Sequence, residues 1–144
     1  MTIEVRLEKL LLVIHGEYDI EVSKGLIKVT VSGAFNDLGA KALTTELKAA
    51  IVALNQTPFV MLGDLLDFNG GTPEVFAESD DFNAWLNSQN MIAKALIFTS
   101  PIHIAIEKSL VKSKATQNIQ YFENEHTALK WLDAQVDKFN AKLA

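Results

Sequence analysis

Apolar and polar residues alternate in two short segments, residues 18–22 and 26–31, which are joined by residues 23–25 with the sequence Ser-Lys-Gly. Both segments are rich in β-branched side chains, which favour strands. Two alternating segments joined by a short glycine-containing turn are typical of a β-hairpin. The pattern therefore predicts that the first strands of the fold are antiparallel neighbours.

Later segments carry apolar residues at intervals of three and four positions, which is the spacing of an amphipathic helix. They cover residues 36–54, 73–89, 101–112 and 123–139. In the third segment, Ser100 is the predicted N-cap and Pro101 the first helical residue. The spacing of Ile102, Ile106 and Leu110 in this segment predicts that they form a buried stripe.

Short apolar runs at residues 59–62, 92–98 and 118–122 alternate with these helices, and we interpret them as buried strands. A hairpin followed by alternating helices and strands predicts an α/β fold with a mixed sheet and right-handed crossovers. We expect a single domain, residues 1–144, with about four helices packed against the sheet. Residues 1–15 are a candidate N-terminal extension, either an additional strand or an amphipathic helix.

The composition is that of one ordinary globular domain, since 49% of the 144 residues are hydrophobic. A total of 13 basic and 18 acidic residues gives a net charge of −5, which argues against a nucleic-acid partner. The absence of cysteine excludes disulfides, thiolate metal sites and cysteine nucleophiles. The start of the chain lacks a signal-peptide pattern, and its longest apolar run is far shorter than the roughly 20 residues of a membrane span. We therefore expect a soluble, cytoplasmic protein.

The apolar run 59–62 is followed by a polar, glycine-rich segment, residues 64–72, and then by Pro73. A strand end, a glycine pair and a Thr-Pro helix start predict a strand–loop–helix junction. Such junctions lie at the carboxyl edge of an α/β sheet, where strand ends and helix N-termini leave a crevice. The candidate partner-facing residues are therefore Asp64, Asp67, Asn69, Gly70, Gly71 and Thr72.

Asp64 and Asp67 form a pair of carboxylates of the kind that binds Mg²⁺ or exchanges protons. Aspartate also bonds readily to nearby backbone N–H groups, and we expect a turn or capping role for both residues. The histidines, His15, His103 and His126, lack metal-ligand spacing, and the glycines do not form a phosphate-binding loop. The sequence therefore predicts no catalytic residue, no metal site and no cofactor.

Lys108, Lys112 and Lys114 form a basic cluster near the end of the third predicted helix. We interpret this cluster as a solvent-exposed face whose charges lie near a helix C-terminus. The alternative is a surface that meets anionic lipid headgroups if the helix at residues 73–89 opens beside it.

Five segments of the sequence, taken in order along the chain, resemble motifs of one protein family. They are GLIKVTVSGAF at 25–35, LGDLLDFNG at 62–70, IAKALIF at 92–98, IQYFE at 119–123 and ALKWL at 128–132. Through them the chain, from about Tyr18 to Leu132, resembles the SpoIIAA-like family, the compact relatives of the STAS domains of anti-sigma factor antagonists. The resemblance implies a STAS-type α/β domain that acts as a non-enzymatic binding and partner-switching module.

The chain departs from the antagonist pattern at the junction. In antagonists, a serine that follows an aspartate in an Asp-Ser-Ser-Gly type of motif is phosphorylated to release the partner. Here Asp67 is followed by Phe68 and Asn69, and the nearest hydroxyl group belongs to Thr72. We expect Thr72 to be an ordinary N-cap. The alternative is its phosphorylation, which would add about −1.5 to −2 charges at the helix start.

The helix predicted at residues 73–89 and its flanks are rich in bulky apolar side chains. These are Phe68, Phe76, Phe82, Trp85, Leu86 and Met91. The SpoIIAA-like group is also similar to the CRAL-TRIO type of lipid-binding fold, in which a helix forms a lid over an apolar pocket. Gly70 and Gly71 are candidate hinge residues, because glycine accepts large dihedral changes. The alternative is that the aromatic residues are ordinary core residues packed on the sheet.

Together these features predict a binding module for a small hydrophobic or lipid-like ligand, with residues 73–89 as a movable lid. They also predict reversible peripheral association with the inner face of the membrane. The alternative function is an anti-sigma factor antagonist-type regulator that binds another protein through residues 64–72. A lid on glycines could also exchange between two chains and produce a homodimer.

Overall fold

Strand pairing confirms the predicted mixed sheet. The computed structural model describes residues 14–144, and residues 1–13, with most of the predicted extension at 1–15, lie outside the described residues. The described strands form one sheet in the order β1-β2-β3-β4-β5. Their bounds are β1 Glu17–Ser23, β2 Leu26–Phe35, β3 Phe59–Gly71, β4 Met91–Ile97 and β5 Ile119–Phe122.

β1 and β2 form the predicted antiparallel hairpin, and the other neighbouring strands are parallel. Lys24 and Gly25 connect the hairpin with φ angles of 44° and 79°. Two successive residues with positive φ give a turn whose twist matches that of the strands. Gly25 adopts this conformation without steric cost, which explains why the turn forms here.

The helices follow the predicted order. Their bounds are α1 Asp37–Ala53, α2 Pro73–Leu86, α3 Pro101–Leu110 and α4 Glu125–Leu143, with a 3₁₀ helix at Lys112–Thr116. Side-chain caps mark the starts of α1 and α3. At α1, Asn36 accepts a hydrogen bond from the Gly39 N–H at 2.9 Å. Ser100 accepts one from the His103 N–H at 3.3 Å, with Pro101 in the first turn as predicted.

The two faces of the sheet bury separate apolar clusters, because successive side chains of a strand point to opposite faces. The cluster between the sheet and helices α1 and α2 includes Val29, Met61, Leu47 and Phe82. The cluster between the sheet and α4 includes Val60, Leu62, Ala95 and Leu132. The sheet is therefore the middle layer between helices on both faces.

β3 continues well beyond the predicted strand at 59–62 and ends at Gly71. Its pairing with β4 stops at Asp64, but its pairing with β2 continues to Gly71, opposite Phe35. The predicted loop over residues 64–71 is therefore wrong, because β2 is long enough to supply hydrogen-bond partners that the local sequence does not reveal. Asp64 is the last β3 residue paired with β4. Asp67, Asn69, Gly70 and Gly71 lie on the two-stranded extension, and Thr72 follows as the N-cap residue of α2.

The apolar stripe of α3 faces away from the core, so the prediction that Ile102, Ile106 and Leu110 are buried is wrong. Ile102 is 70% exposed and Leu110 is 49% exposed. The inward side of α3 carries Glu107, because its carboxylate forms an ion pair with the buried Lys114. The orientation of α3 thus places this ion pair inside and the apolar stripe outside.

Candidate functional site

A cavity of about 150 Å³ lies between the sheet and the helices α1 and α2. Its walls are mostly apolar and include Val29, Val31, Phe35, Leu43, Leu47, Met61, Leu65, Val75 and Leu96. An apolar cavity of about 150 Å³ is large enough in other proteins to admit benzene. The arrangement is therefore suited to a small hydrophobic molecule.

Phe68, Phe76 and Phe82, which are predicted ligand residues, line this cavity. Phe68 comes from the extension of β3, and its ring centroid lies 5.9 Å from that of Phe35 on β2. Phe76 and Phe82 come from α2 and cover the cavity from the helix side. The aromatic end of the cavity is thus formed jointly by the strand extension and the helix that follows it.

The other predicted ligand residues, Trp85, Leu86 and Met91, pack against the same apolar core. The Trp85 ring centroid lies 6.0 Å from that of Phe82, and the Lys48 ammonium lies 5.6 Å from the Trp85 ring. Leu86 is buried, and Met91 is the first residue of β4. The bulky side chains of α2 and its flanks are therefore divided between the cavity wall and ordinary core packing.

Gly70 and Gly71, the two glycines before α2, are required for different structural reasons. Gly70 has a φ of +87°, a conformation that strains any residue with a side chain. At Gly71, an added Cβ would lie 2.8 Å from the Cβ of Val75, in the first turn of α2. Gly70 is thus required by the backbone conformation, and Gly71 by the close approach of the helix to the strand end.

Side-chain hydrogen bonds hold α2 on both sides. The Thr44 hydroxyl on α1 donates to Glu78 Oε1 at 2.7 Å. On the opposite side, the Ser113 N–H donates to Asp80 Oδ1 at 2.9 Å, and Asn87 Nδ2 donates to the Ser113 carbonyl at 2.8 Å. A movement of α2 away from the sheet would break these bonds, each of which contributes about 1 kcal/mol.

Polar side chains from four elements line one end of the cavity, and we call them the polar cluster: Asn83 of α2, Lys94 of β4, Glu107 of α3 and Lys114 of the 3₁₀ helix. Lys94 is only 5% exposed, and its Nζ donates to Asn83 Oδ1 at 2.5 Å. Lys114 is also buried and forms its ion pair with Glu107. With both lysines protonated and the glutamate ionised, the polar cluster has one net positive charge.

Burial, with a further contribution from the positive charge of Lys114, lowers the pKa of Lys94 from 10.5 to about 7. The carboxylate of Glu107 acts in the opposite direction. Burial, together with Glu107, raises the pKa of Tyr121 to about 12. The Tyr121 ring lies 5.2 Å from the Lys108 ammonium and 5.8 Å from that of Lys114. Lys94 is thus the member of the polar cluster whose charge changes near neutral pH.

The predicted site residues do not include Asn83, Lys94 or Glu107. The interpretation of the basic cluster as solvent-exposed is wrong for Lys114, which is buried because Glu107 neutralises it. The one signal in the sequence is Lys94 itself, which lies in the middle of the apolar run 92–98. Lysine is almost never fully buried without a partner, so a lysine inside a buried strand indicates a polar site.

Asp64 and Asp67 differ in their surroundings. Asp64 Oδ1 accepts a hydrogen bond from the Leu66 N–H at 3.2 Å, and both residues lie within strand β3. Asp67 is exposed, as is Asn69. Among residues 14–144, no cluster of three or more His, Asp or Glu side chains is arranged to hold a metal ion.

Thr72 occupies the predicted N-cap position of α2, but within the described residues its side chain makes no capping hydrogen bond. The backbone N–H of Glu74, with a further contribution from the nearby Thr72 hydroxyl, lowers the pKa of the Glu74 carboxyl. Thr72 and Glu74 are both exposed at the start of α2.

In the part of the chain from residue 14 to residue 144, no helix has the length and apolar character required to cross a membrane.

Comparison with known proteins gives one family and a consistent fold. Residues 26–133 match the family model described as SpoIIAA-like. No curated protein matches the chain.

Two solved structures have similar folds. One is an uncharacterised protein with a SpoIIAA-like fold from Shewanella loihica PV-4, with 16% identity and a TM-score of 0.62 over 83% of this chain and 95% of that chain. Another is an anti-sigma factor antagonist from Mycobacterium paratuberculosis, with 16% identity and a TM-score of 0.55 over 81% of this chain and 92% of that chain. At this identity the similarity concerns the fold.

Proposed function

The chain belongs to the SpoIIAA-like family, and on that premise we propose that it is a non-enzymatic module that binds a small hydrophobic ligand. The observation that carries the proposal is the apolar cavity beneath α2, with Phe68, Phe76 and Phe82 in its wall. Binding sites for small molecules are concave and mostly apolar, with a few polar groups that fix orientation. The cavity and its polar cluster have this composition.

In this proposal α2 is the lid of the cavity. A volume of about 150 Å³ suits a molecule the size of benzene, so a longer acyl chain requires α2 to move. Gly70 and Gly71 directly precede the helix and are the hinge. The hydrogen bonds between Thr44 and Glu78 and between Asn87 and Ser113 hold the lid closed. Each of these bonds contributes about 1 kcal/mol. Exposure of the buried Val75, Phe82 and Leu86 side chains of α2 would add about 1.5–3 kcal/mol each, so the lid opens only as far as these side chains stay covered.

Reversible membrane association is the proposed route of ligand entry. α3 packs beside α2 and exposes Ile102, Ile106 and Leu110. Lys108 lies on the same helix, and apolar residues accompanied by lysine are typical of helices at a lipid interface. The net charge of −5 opposes binding to anionic lipid, so the association is expected to be weak.

A matched pair of variants tests the cavity. We would measure co-purified ligand by native mass spectrometry, and affinity for an apolar fluorophore, with wild type, Phe76→Asp and Val52→Asp. Phe76 lines the cavity, whereas Val52 is an exposed residue of α1 outside the cavity wall. We expect the first variant to lose the ligand and at least about tenfold in fluorophore affinity, and the second to behave as wild type. If a folded Phe76→Asp protein bound the ligand and the fluorophore as wild type does, the cavity would not be the binding site.

A second candidate function is protein partner switching through residues 64–72. The fold similarity to an anti-sigma factor antagonist and the exposed position of Thr72 favour it. A phosphate on Thr72 would lie at the positive end of the α2 dipole and would repel the neighbouring Glu74 carboxylate. We expect Thr72→Glu, but not Thr72→Val, to change which protein is recovered with the chain. Identical recovery by wild type and both variants would exclude this function.

A further inference from the structure

The two ends of the cavity differ in chemistry. Lys94 lies opposite Met61 in the strand register, and Phe68 lies seven residues further along β3. At about 3.3 Å per residue, the backbone positions of Met61 and Phe68 are at most roughly 23 Å apart along β3. Because the polar cluster and the aromatic end line the same cavity, a ligand that fills it needs one polar end and one apolar end.

When Lys94 is protonated, the polar end lacks one negative charge. Lys114 is paired with Glu107, but among the ion pairs of the described residues none includes Lys94. The hydrogen-bond partner of the Lys94 ammonium is the neutral amide oxygen of Asn83. An ammonium ion taken out of water without a counter-charge costs several kcal/mol. A single carboxylate beside Lys94 would bring the net charge of the polar cluster from one positive charge to zero.

The hydrogen bonds of the polar cluster leave Lys94 free to turn towards such a group. A lysine ammonium has three N–H donors, and Asn83 accepts from one of them. Asn83 Oδ1 also accepts from Gln117 Nε2 at 3.1 Å, and Asn83 Nδ2 donates to the Ser79 carbonyl at 2.8 Å. Asn83 therefore keeps partners on both of its amide atoms when Lys94 bonds to a ligand.

From these observations we infer that the ligand is a monocarboxylate amphiphile, such as a fatty acid, whose carboxylate binds Lys94 while its chain extends towards Phe68. The inference rests on the proposed function, since it specifies the chemistry of the ligand of the same cavity. A neutral alcohol would leave Lys94 without a counter-charge. A phosphomonoester, with about −1.5 to −2 charges at neutral pH, would exceed the single charge that the site lacks.

Calorimetric titration with three compounds of equal chain length tests the inference. We would measure octanoate, 1-octanol and octylamine at pH 6.5 with wild type, Lys94→Met and Lys108→Met. Lys108→Met is the matched control, because it removes the same charge from an exposed position on α3. We expect wild type and Lys108→Met to bind octanoate at least about tenfold more tightly than octanol, and octylamine most weakly. We expect Lys94→Met to bind octanoate and octanol alike.

The outcomes separate the two proposals. Equal affinity of wild type for octanoate and octanol would overturn the carboxylate inference and leave the hydrophobic binding function standing. Failure of the folded wild-type protein to bind either compound would overturn the proposed function itself.

If Lys94→Met does not fold, the role of Lys94 is tested with the wild-type protein, by measuring its preference for octanoate over octanol as a function of pH. The preference for octanoate should decrease between pH 6.5 and pH 9, because Lys94, with a pKa of about 7, loses its proton in that range. The charged groups that act on Lys94 are Glu107 on α3 and Lys114 on the 3₁₀ helix. Further out, Tyr121 on β5 contacts Lys114, and Asp80 on α2 accepts from the Ser113 N–H. A preference that stays constant up to pH 9 would contradict the role of Lys94.

Discussion

The Lys94 ammonium nitrogen lies 2.5 Å from the amide oxygen of Asn83, so a buried charge in the sheet is hydrogen-bonded to the proposed lid helix. Lys94 belongs to β4, and Asn83 to α2. Movement of α2 would therefore remove the hydrogen-bond partner of a charge that is costly to leave alone. The position of the lid and the charge of Lys94 are thus coupled through this bond.

Replacement of Lys94 by methionine should stabilise the protein below neutral pH. Because burial lowers the pKa of Lys94 from 10.5 to about 7, the unfolded chain binds more protons than the folded chain between these values. Wild-type stability therefore rises with pH across this window, and the penalty is fully present below pH 7. We expect Lys94→Met to exceed wild type by roughly 2–4 kcal/mol at pH 6, with a smaller difference at pH 9.

Urea denaturation at pH 6, 7.5 and 9 measures this effect. Asn83 Oδ1 keeps its bond to Gln117 in the variant, so the substitution leaves that acceptor satisfied. Lys108→Met is the control, and its stability difference from wild type should be small at every pH. A constant difference between Lys94→Met and wild type from pH 6 to pH 9 would show that Lys94 is not the titrating group.

Substitution of Asn83 by aspartate should prevent a ligand carboxylate from binding Lys94, because the protein would then supply that carboxylate itself. The new carboxylate would occupy the place of an amide of nearly equal shape, beside Lys94, and would pair with it. The bond that Asn83 Nδ2 donates to the Ser79 carbonyl would be lost. We expect octanoate affinity to fall at least about tenfold, with octanol affinity little changed, since the cavity wall is the same. Calorimetry with both compounds measures the effect, and the exposed Asn140→Asp is the control. Equal losses for octanoate and octanol would indicate general damage to the cavity instead.

Local chemistry was sufficient to predict much of the fold. Asn36 and Ser100 cap helices where their side chains predict a helix start, and the hairpin turn lies at Lys24 and Gly25. The order of strands and helices follows from hydrophobic periodicity in the same way. These features depend on residues within a few positions of one another, so the local sequence is sufficient to predict them.

Features that depend on distant partners could not be predicted. The extension of β3 to Gly71 requires β2, about 35 residues earlier, and its own polar and glycine-rich sequence resembles a loop. The polar cluster joins side chains from four elements, and only Lys94 stands out locally. α3 turns Glu107 towards Lys114, more than five residues away along the chain, and exposes its apolar residues, which local periodicity does not indicate.

Replacement of Gly39 by alanine should destabilise the protein, although it lies in a helix. Helix propensity alone predicts a gain of about 1 kcal/mol for a glycine-to-alanine change. At Gly39, however, an added Cβ would overlap the backbone carbonyl oxygen of His15. That backbone cannot easily withdraw, because the His15 N–H donates to Asn36 Oδ1 at 3.0 Å. We therefore expect a net loss of about 1–3 kcal/mol.

Thermal and urea unfolding of Gly39→Ala measure this loss. The exposed Ser109→Ala on α3 is the control for an alanine introduced in a helix, and its effect should be within about 0.5 kcal/mol of zero. A Gly39→Ala protein more stable than wild type would mean that residues 14–16 do not hold this position against α1.

Substitution of Gly70 by alanine should separate backbone strain from packing at the proposed hinge. Gly70 has a φ of +87°, and nothing lies within 4 Å of an added Cβ, so the cost arises from the backbone alone. We expect a loss of about 1–2 kcal/mol in the free energy of unfolding. Asn69→Ala, at the exposed neighbouring position, should change stability little.

If Gly70 is also the hinge of α2, an apolar fluorophore should associate more slowly with Gly70→Ala than with Asn69→Ala in stopped-flow mixing. The reason is that alanine restricts the dihedral changes that opening requires. Equal association rates with a reduced stability would assign Gly70 to the turn geometry and move the hinge elsewhere.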